Sequence, residues 1–429
     1  MIVALFSVFF IGLIIGLPVA IVMGLATLSA FYMDPVIPLE VFPQRIFSGI
    51  NSFPMMTIPF FILAADLMTG GKLTDILIKL SNDLIGHLRG GLGHVNVLVS
   101  MLFAGISGSA LADAAGPSAV AMRMMRNAGY DKYYSGALSA STSVIGIIIP
   151  PSILMIIYAL TAGSSGVTIV SLFLAGVIPG VLLGVALMIA NYIISIKNNY
   201  TFVEKRSSFK EMFTSFMKAI PALMMPVILL GGIVGGVFTA TEAAAVAIAY
   251  ALVVGLFITR GLTIKSISSI FVRSSIVSAS VLLIIAMGAA FSWALTYAQI
   301  PQMVASWLGG LTDNPLILLF LIALFALVTG MFVDTIPAII ILVPVLTPLA
   351  SQFGADPLQV AMIIILGIGI GMLTPPVAPL IFVISTVGRL RLEKLTLAVL
   401  PLFAVELVVL LLVILFPSIS SGLPKLLGY

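Results

Sequence analysis

Long apolar segments, separated by short polar ones, repeat along the whole chain. Most of them reach or approach the ~20 residues that a helix needs to cross the hydrocarbon core of a membrane. Their continuous hydrophobicity differs from the short alternating strands of a membrane barrel, so the pattern predicts an all-α polytopic membrane protein. The segments lie at residues 3–30, 53–69, 93–108, 110–125, 135–163, 168–195, 219–238, 240–259, 274–297, 314–331, 335–350, 358–387 and 395–417.

Composition agrees with this class. Hydrophobic residues make up 61% of the 429 residues and charged residues only 8%, whereas a soluble domain carries about 25% charged residues. The chain has no cysteine, which excludes disulfides, thiolate metal ligands and a cysteine nucleophile. Its net charge of +4 does not indicate nucleic-acid binding, because the basic residues lie in short loops between apolar segments. The first segment lacks a basic leader and a cleavage site, so we expect it to be retained.

Basic residues indicate the orientation in the membrane. By the positive-inside rule we expect five basic clusters to be cytoplasmic, whereas residues 274–388 contain no Lys or Arg and should carry the loops of the opposite side. The clusters are Lys72–Arg89, Arg123–Lys132, Lys197–Lys218, Arg260–Arg273 and Arg389–Lys394. Three amphipathic stretches, at 72–89, 204–218 and 261–273, are expected to lie along the membrane surface, although simple loop helices are an equal alternative.

Two pairs of short segments predict re-entrant hairpins. Segments 93–108 and 110–125 are short for a crossing, and a glycine and serine break at Gly105–Ser109 lies between them. Segments 314–331 and 335–350 have the same pattern around Gly330–Asp334. The loop positions predict that the first hairpin enters from the cytoplasm and the second from the opposite side. Two short crossings would also return the chain to the cytoplasm.

An offset of about 225 residues relates the two halves. It matches glycines and prolines that interrupt helices, which is the sequence sign of a transporter built from repeats. The matched pairs are Gly105 and Gly330, Gly129 and Gly354, Asp131 and Asp356, Gly146 and Gly371, and Pro150–Pro151 and Pro375–Pro376. Counting one crossing for 3–30 places the N-terminus in the cytoplasm, and the helix at 219–238 inverts the second repeat.

Each hairpin is followed by a helix with a double proline in its middle. Proline removes a backbone donor, so carbonyls one turn earlier lose their helical partners and become available to a cation. A hard ion such as sodium needs several oxygen ligands, which a hairpin tip beside such a break supplies. An ordinary proline kink without a ligand is the alternative.

Asp113 and Asp334 follow the two hairpin tips closely. Each could complement a helix N-terminus, but an ionisable group at membrane depth is a functional candidate, so we expect both at ion sites. An anionic substrate would be repelled by them and is expected at helix N-termini instead. The residues expected to contact it are Ser109, Ser143, Ser152 and Thr335.

The remaining ionisable residues in or near apolar sequence are interpreted as structural or surface residues, or have no assigned role. Glu242 follows Thr239 by three residues and is expected to cap its helix. His87 and His94 have no acids at metal-ligand spacing and are expected at the surface. Asp66 and Glu406 have no assigned role. No basic residue lies deep in an apolar segment, so the residues do not favour one acid over another.

Several motifs together resemble the large membrane subunit of tripartite ATP-independent periplasmic (TRAP) transporters. They are Phe53–Phe61 with Gly70–Gly71, Gly105–Gly116, Ile149–Ser152 and Gly371–Pro376. Each motif is weak alone, but their order and spacing extend the resemblance over nearly the full length. It implies an elevator mechanism and sodium-driven uptake of an organic acid, such as sialic acid or a dicarboxylate. It also implies a periplasmic substrate-binding protein and a small four-helix membrane subunit, expected here as a separate chain because no spans precede Met1.

Carried onto matching residues, the resemblance implies at least two sodium sites in the inner membrane. One would use Ser107, Asp113, Gly146, Ile149 and Pro151, and the other Gly330, Asp334, Gly371, Met372 and Thr374. Because Ser109 is the offset partner of Asp334, the two sites are expected to differ chemically. The transport domain would comprise 93–163 and 314–387, and the scaffold with its arm helices 1–92, 164–313 and 388–429.

Three other functions remain open from the residues. A self-sufficient ion-coupled carboxylate symporter would have the same inverted repeats without a binding protein. An intramembrane aspartyl protease is suggested only by the two membrane aspartates, neither of which lies in a Gly-x-Gly-Asp context. A passive channel fits the broken helices less well than alternating access does.

Overall fold

The computed structural model describes residues 1–71, 73–163, 166–200, 206–309 and 314–429. Helices form the regular structure of this part of the chain, and no strand occurs in it. Eight helices within these ranges are long and apolar enough to cross a membrane. The prediction of an all-α polytopic membrane protein is therefore confirmed. Lys72 and Glu204, which open two of the predicted amphipathic stretches, lie outside the described residues, as do the predicted domain boundaries at 164 and 313.

The amino-terminal region corrects the prediction of one long first span. Its helices are α1 (Ile2–Ile15), α2 (Val19–Tyr32), α3 (Val41–Ile50), α4 (Thr57–Gly70) and α5 (Leu73–Ile85). Segment 3–30 is broken because Gly16 adopts a left-handed conformation (φ 83°) and Pro18 precedes the next helix. A Cβ at Gly12 would lie 3.0 Å from Val22, so α1 and α2 pack side by side. The prediction of one continuous helix over this segment is therefore wrong, and its number of crossings and the N-terminal orientation stay predictions.

The first hairpin turns where the sequence predicted. It consists of α6 (Gly91–Ser107), α7 (Ala110–Ala115) and α8 (Pro117–Asn127). Gly108 joins α6 to α7 with φ 59°, a conformation that only glycine adopts without strain. The prediction that His94 lies at the surface is wrong, because the first turn of α6 packs against Asn191 and leaves His94 only 6% exposed.

A broken helix follows the first hairpin. It runs as α9 (Lys132–Ser143), a 3-10 turn (Val144–Ile147) and α10 (Ile153–Thr161), and is followed by α11 (Ile169–Lys197). The double proline lies in the gap between the turn and α10, so the predicted interruption is present. Asp131 caps α9 by accepting hydrogen bonds from the N–H groups of Tyr133 (2.9 Å) and Tyr134 (2.8 Å).

Two predicted surface stretches are the first turns of long helices. The central helices are α12 (Phe209–Val234), α13 (Ala240–Val253), which continues as a π turn (Val254–Ile258), α14 (Ile264–Tyr297) and α15 (Ile300–Gly309). The amphipathic residues of 204–218 and 261–273 that are described run into α12 and α14 without a break. The 34 residues of α14 span about 51 Å at 1.5 Å per residue, more than the hydrocarbon core is thick. Glu242 forms the expected capping box with Thr239.

The second half repeats the order of hairpin, capped helix, break and helix. Its helices are α16 (Pro315–Phe332), α17 (Thr335–Gln352), α18 (Pro357–Gly371), α19 (Pro379–Gly388), α20 (Leu392–Leu415) and α21 (Ser418–Leu426). Asp356 caps α18 through the N–H groups of Leu358 (3.0 Å) and Gln359 (3.4 Å). Asp131 and Asp356, which the offset paired, therefore both cap the helix that follows a hairpin.

The two broken helices meet in the centre of the molecule. A Cβ at Gly369 of α18 would lie 2.6 Å from Ile147 and 3.0 Å from Val144 of the 3-10 turn. Helix α20 packs along α9, α11 and α18. Helix α20 thus packs against both broken helices, and the predicted division into scaffold and transport domains stays a prediction.

Candidate functional site

The first hairpin tip is seated on the first helix break. The carbonyl of Gly108 accepts a hydrogen bond from the N–H of Ile153 at 3.3 Å. A Cβ at Gly108 would lie 2.6 Å from the carbonyl oxygen of Pro151, and a Cβ at Gly146 would lie 2.9 Å from that of Ser109. Backbone meets backbone at this junction, which explains why both positions require glycine.

Four of the residues predicted for the first sodium site and its surroundings share this junction. Ser107 and Ser109 flank the tip glycine, and the Oγ of Ser107 accepts from the Ser109 N–H at 3.5 Å. Gly146 and Pro151 contribute the facing backbone. The side chain of Ile149 packs against Gly180 of α11. Because this side chain is a hydrocarbon, Ile149 could act as a ligand only through its backbone carbonyl.

Asp113 lies in a buried group of hydroxyls. It is 0% exposed, and its Oδ2 accepts hydrogen bonds from Ser100 (2.9 Å) and Ser118 (2.7 Å). Its Oδ1 has no hydrogen-bond partner within the described residues. We call the surrounding side chains the hydroxyl cluster; its members are Ser100, Ser118, Ser139, Thr142 and Ser143.

Sequence reasoning missed most of the hydroxyl cluster. Of its members only Ser143 was predicted, as a substrate contact, and here its Oγ donates to the carbonyl of Ser139 (2.8 Å) and lies 3.2 Å from Ser118 Oγ. The available signal was a set of hydroxyl residues in apolar sequence on α6, α8 and α9, since such residues rarely face lipid. The three helices bring them to one carboxylate.

The donors in this part of the molecule suit a hard cation. Carboxylate, hydroxyl and carbonyl oxygens are the ligands that such ions prefer. Across the described ranges no three His, Cys, Asp or Glu residues are grouped as transition metals require. The free Oδ1 of Asp113 is one ligand atom that a cation could use without breaking an existing bond.

The second hairpin tip is seated on the second break in the same manner. A Cβ at Gly371 would lie 2.3 Å from the carbonyl oxygen of Leu327 and 2.9 Å from Gly330. The carbonyl of Met331 accepts from the N–H of Val377 at 3.2 Å. The second helix break therefore packs against the second hairpin tip, as the first break packs against the first tip.

Some oxygen atoms of the residues predicted for the second sodium site already accept hydrogen bonds, and one has no partner. The carbonyl of Gly371 accepts from the Thr374 N–H (2.9 Å) and that of Met372 from the Leu380 N–H (3.3 Å). The Oγ1 of Thr374 is buried and has no hydrogen-bond partner in the described part of the chain. Thr374 thus offers a side-chain oxygen at the second break.

The two aspartates have different surroundings. Asp334 is exposed and caps α17, with its Oδ1 2.7 Å from the N–H of Thr335, whereas Asp113 is fully enclosed. The expectation that two sodium sites differ chemically stays a prediction. Whether Asp334 is also an ion ligand stays a prediction.

Ser152 shows how the first break is stabilised. Because Pro151 has no N–H, the carbonyl of Ile147 loses its helical partner, and the Oγ of Ser152 donates to that carbonyl at 2.8 Å. The same Oγ accepts from the Met155 N–H at 3.4 Å and caps α10. Ser109 likewise caps α7 through the N–H of Ala112. The roles of Ser109, Ser152 and Thr335 toward substrate stay predictions.

A cavity with a mixed polar and apolar lining lies between the amino-terminal helices and the second hairpin. It has a volume of about 480 Å³ and is bounded by α3, α10, α14 and α17. Its polar lining includes Arg45, Ser52, Thr161 and Ser292, and the Arg45 guanidinium lies 5.1 Å from the ring centroid of Trp293. Sequence reasoning missed Arg45 because it lies between apolar segments. Arg45 thus places a positive charge at this cavity.

The architecture defines the class of protein before any sequence comparison. Its fold is similar to that of the YdaH transporter of Alcanivorax borkumensis, with a TM-score of 0.63 over 88% of this chain and 87% of that chain. The two sequences are 16% identical, so this similarity concerns the fold alone. The protein has the fold of a multi-pass membrane transporter.

Sequence comparison gives the family. The model of the "Tripartite ATP-independent periplasmic transporter, DctM component" family matches residues 6–419, and the chain belongs to this family. It is 39% identical to the sialic acid TRAP transporter large permease protein SiaM of Vibrio cholerae, over 96% of each chain. It is 36% identical to the 2,3-diketo-L-gulonate TRAP transporter large permease protein YiaN of Escherichia coli, over 91% of each chain. The protein is a transporter and not an enzyme, which removes the protease alternative.

Proposed function

We propose that this protein is the large membrane subunit of a sodium-coupled importer of a small organic acid in the bacterial inner membrane. A periplasmic binding protein would deliver the substrate, and a separate small four-helix membrane subunit would complete the transporter. The observation that carries the proposal is the unpaired, buried oxygen at each break region: Asp113 Oδ1 in the first half and Thr374 Oγ1 in the second. Each would be a ligand to one sodium ion.

The physical reason for sodium is the balance of charge in these sites. One carboxylate, with hydroxyls and carbonyls around it, neutralises one positive charge. A divalent ion would leave net charge at membrane depth, which is costly. At the second site Asp334 near the tip would supply the negative charge, and the backbone carbonyls of the break and the Thr374 hydroxyl would supply neutral oxygen ligands.

The substrate class follows from the cavity at Arg45 and from the relatives. The names of the two relatives refer to sialic acid and 2,3-diketo-L-gulonate, which are both sugar acids. A guanidinium binds a carboxylate in a bidentate manner, and the hydroxyl side chains in the same cavity suit a polyhydroxylated body. We infer an acidic sugar or a similar carboxylate as the substrate.

Uptake in proteoliposomes tests this proposal. The chain is reconstituted with its small subunit, and accumulation of labelled sialic acid is measured with and without binding protein and with a sodium or a potassium gradient. We expect accumulation only with binding protein and inward sodium together. Uptake of free substrate without binding protein would support the self-sufficient symporter instead, and equilibration without accumulation would indicate a channel.

A further inference from the structure

Glu406 is a buried acid that the proposed function does not use. It lies in the middle of α20, is 0% exposed, and faces the helices against which α20 packs. Neither Oε1 nor Oε2 has a hydrogen-bond partner within the described ranges. The polar side chain that interacts with it is Ser141 of α9, whose own Oγ also lacks a partner of hydrogen-bond geometry.

No positive charge faces this carboxyl in the described part of the chain. Among the described residues, the polar side chain that interacts with it is Ser141. Helices α16, α18 and α19 carry no charged residue, and those of the other neighbouring elements lie at helix ends. The titratable groups of these elements and their capping residues are Asp131, Lys132, Tyr133 and Tyr134 at α9, Tyr192 and Lys197 on α11, Asp356 before α18, Arg389 after α19, Arg391, Glu393 and Lys394 at the start of α20, and Lys425 on α21. The nearest along α20 is Lys394, twelve residues or about 18 Å away.

An isolated carboxylate in such a place is unfavourable. Removing it from water without a counter-charge costs more free energy than binding a proton does, so the group takes up a proton. We propose that Glu406 is a proton-binding site, occupied in this conformation and held between α9 and α20. The neutral acid has one O–H donor and can bond the Ser141 hydroxyl after a small rotation.

The location connects this proton to the first ion site. Ser141 directly precedes Thr142 and Ser143, whose hydroxyls contact Ser118 in the hydroxyl cluster. Helix α9 therefore carries the proposed proton site on one side and the hydroxyls beside Asp113 on the other. The proton site rests on burial and missing partners, so it stands whether or not the ion at Asp113 is sodium.

Thermal unfolding of the purified full chain in detergent tests the proposal. Wild type and Glu406→Gln are compared between pH 5 and 9 in sodium chloride and in choline chloride. The folded protein keeps a proton that the unfolded chain releases, so wild type loses stability as pH rises. We expect its melting temperature to fall relative to that of Glu406→Gln, equally in both salts. If melting temperature changed with pH in the same way for wild type and Glu406→Gln, the proposal would be overturned. If the melting temperature of wild type fell with pH in choline chloride but not in sodium chloride, Glu406 would be a cation ligand instead.

Infrared spectroscopy of the same samples gives a direct readout. Wild type should show the C=O band of a protonated carboxylic acid that Glu406→Gln lacks. The variant Ser141→Ala keeps the acid but removes its polar neighbour, and it should shift this band without abolishing it. This variant keeps the test decisive if Glu406→Gln does not fold. An acid band unchanged by Ser141→Ala would contradict the placement of the proton beside α9.

Discussion

At the scale of single residues, the contrast between Asp113 and Asp334 is the most informative feature. The first is enclosed among hydroxyls with one free oxygen, and the second is exposed at a helix N-terminus. Their positions after the two tips look alike in sequence. The difference comes from the residues that fold around them, such as Ser100 and Ser118, which lie on separate helices and cannot be paired with Asp113 from spacing alone.

Replacing Asp113 by Asn should weaken sodium activation of uptake much more than replacing Asp131. A charged contact contributes about 1.5–3 kcal/mol, so we expect the sodium concentration for half-maximal uptake to rise about 10- to 100-fold. The measurement is initial uptake rate against sodium concentration in proteoliposomes. Asp131→Asn serves as the matched control, since Asp131 caps α9 outside the predicted ion sites and asparagine still caps a helix. An unchanged sodium dependence in Asp113→Asn would remove this residue from the first site.

At the scale of elements, the two halves share the residues that begin and end corresponding helices. The offset-paired Gly129 and Gly354 both have positive φ, 87° and 71°, and each is followed two residues later by a capping aspartate. Left-handed glycine and capping aspartate are local signals, which is why sequence alone could predict where these helices begin and break. It did not predict the first break at Gly16, where a continuous apolar run hides the turn.

The close approach of backbones at the second tip leads to a test of packing. Gly371→Ala would place a Cβ 2.3 Å from the Leu327 carbonyl oxygen, which the backbone cannot relieve without moving. We expect a loss of about 1–3 kcal/mol of stability, measured as a lower melting temperature in detergent. Gly231→Ala on α12 is the control, because its Cβ would have no atom within 4 Å. Equal melting temperatures of Gly371→Ala and Gly231→Ala would show that the backbone at this junction moves readily enough to accommodate a Cβ.

At the scale of the whole molecule, the cavity at Arg45 lies between parts of the chain that are distant in sequence. Helix α3 and helix α14 supply one side, and α10 and α17 the other. No local pattern predicts such a cavity, because it depends on how the first third of the chain docks against the second hairpin. The family motifs predicted the break regions well and this cavity not at all.

Arg45→Gln should impair recognition of the substrate more than turnover. If the guanidinium binds the substrate carboxylate, losing it removes about 1.5–3 kcal/mol of charged hydrogen bonding. We expect the substrate concentration for half-maximal uptake to rise about tenfold or more, with the maximal rate less affected. Lys265→Gln is the control, because it removes a positive charge at the start of α14 that does not line this cavity. Equal effects of both variants would indicate a general influence of surface charge.

The matched caps have a consequence for how ion preference can change. Asp131 and Asp356 fix helix starts and take no part in the predicted ion sites, while the residues that could bind ions differ between the halves. The common residues determine where helices begin and end, and the differing ones determine what is bound. Substitutions at the differing residues could therefore change which ion one half prefers, without altering the other half or the capped helix starts that both halves share. Ion selectivity is in this sense separable from the architecture that holds the ions.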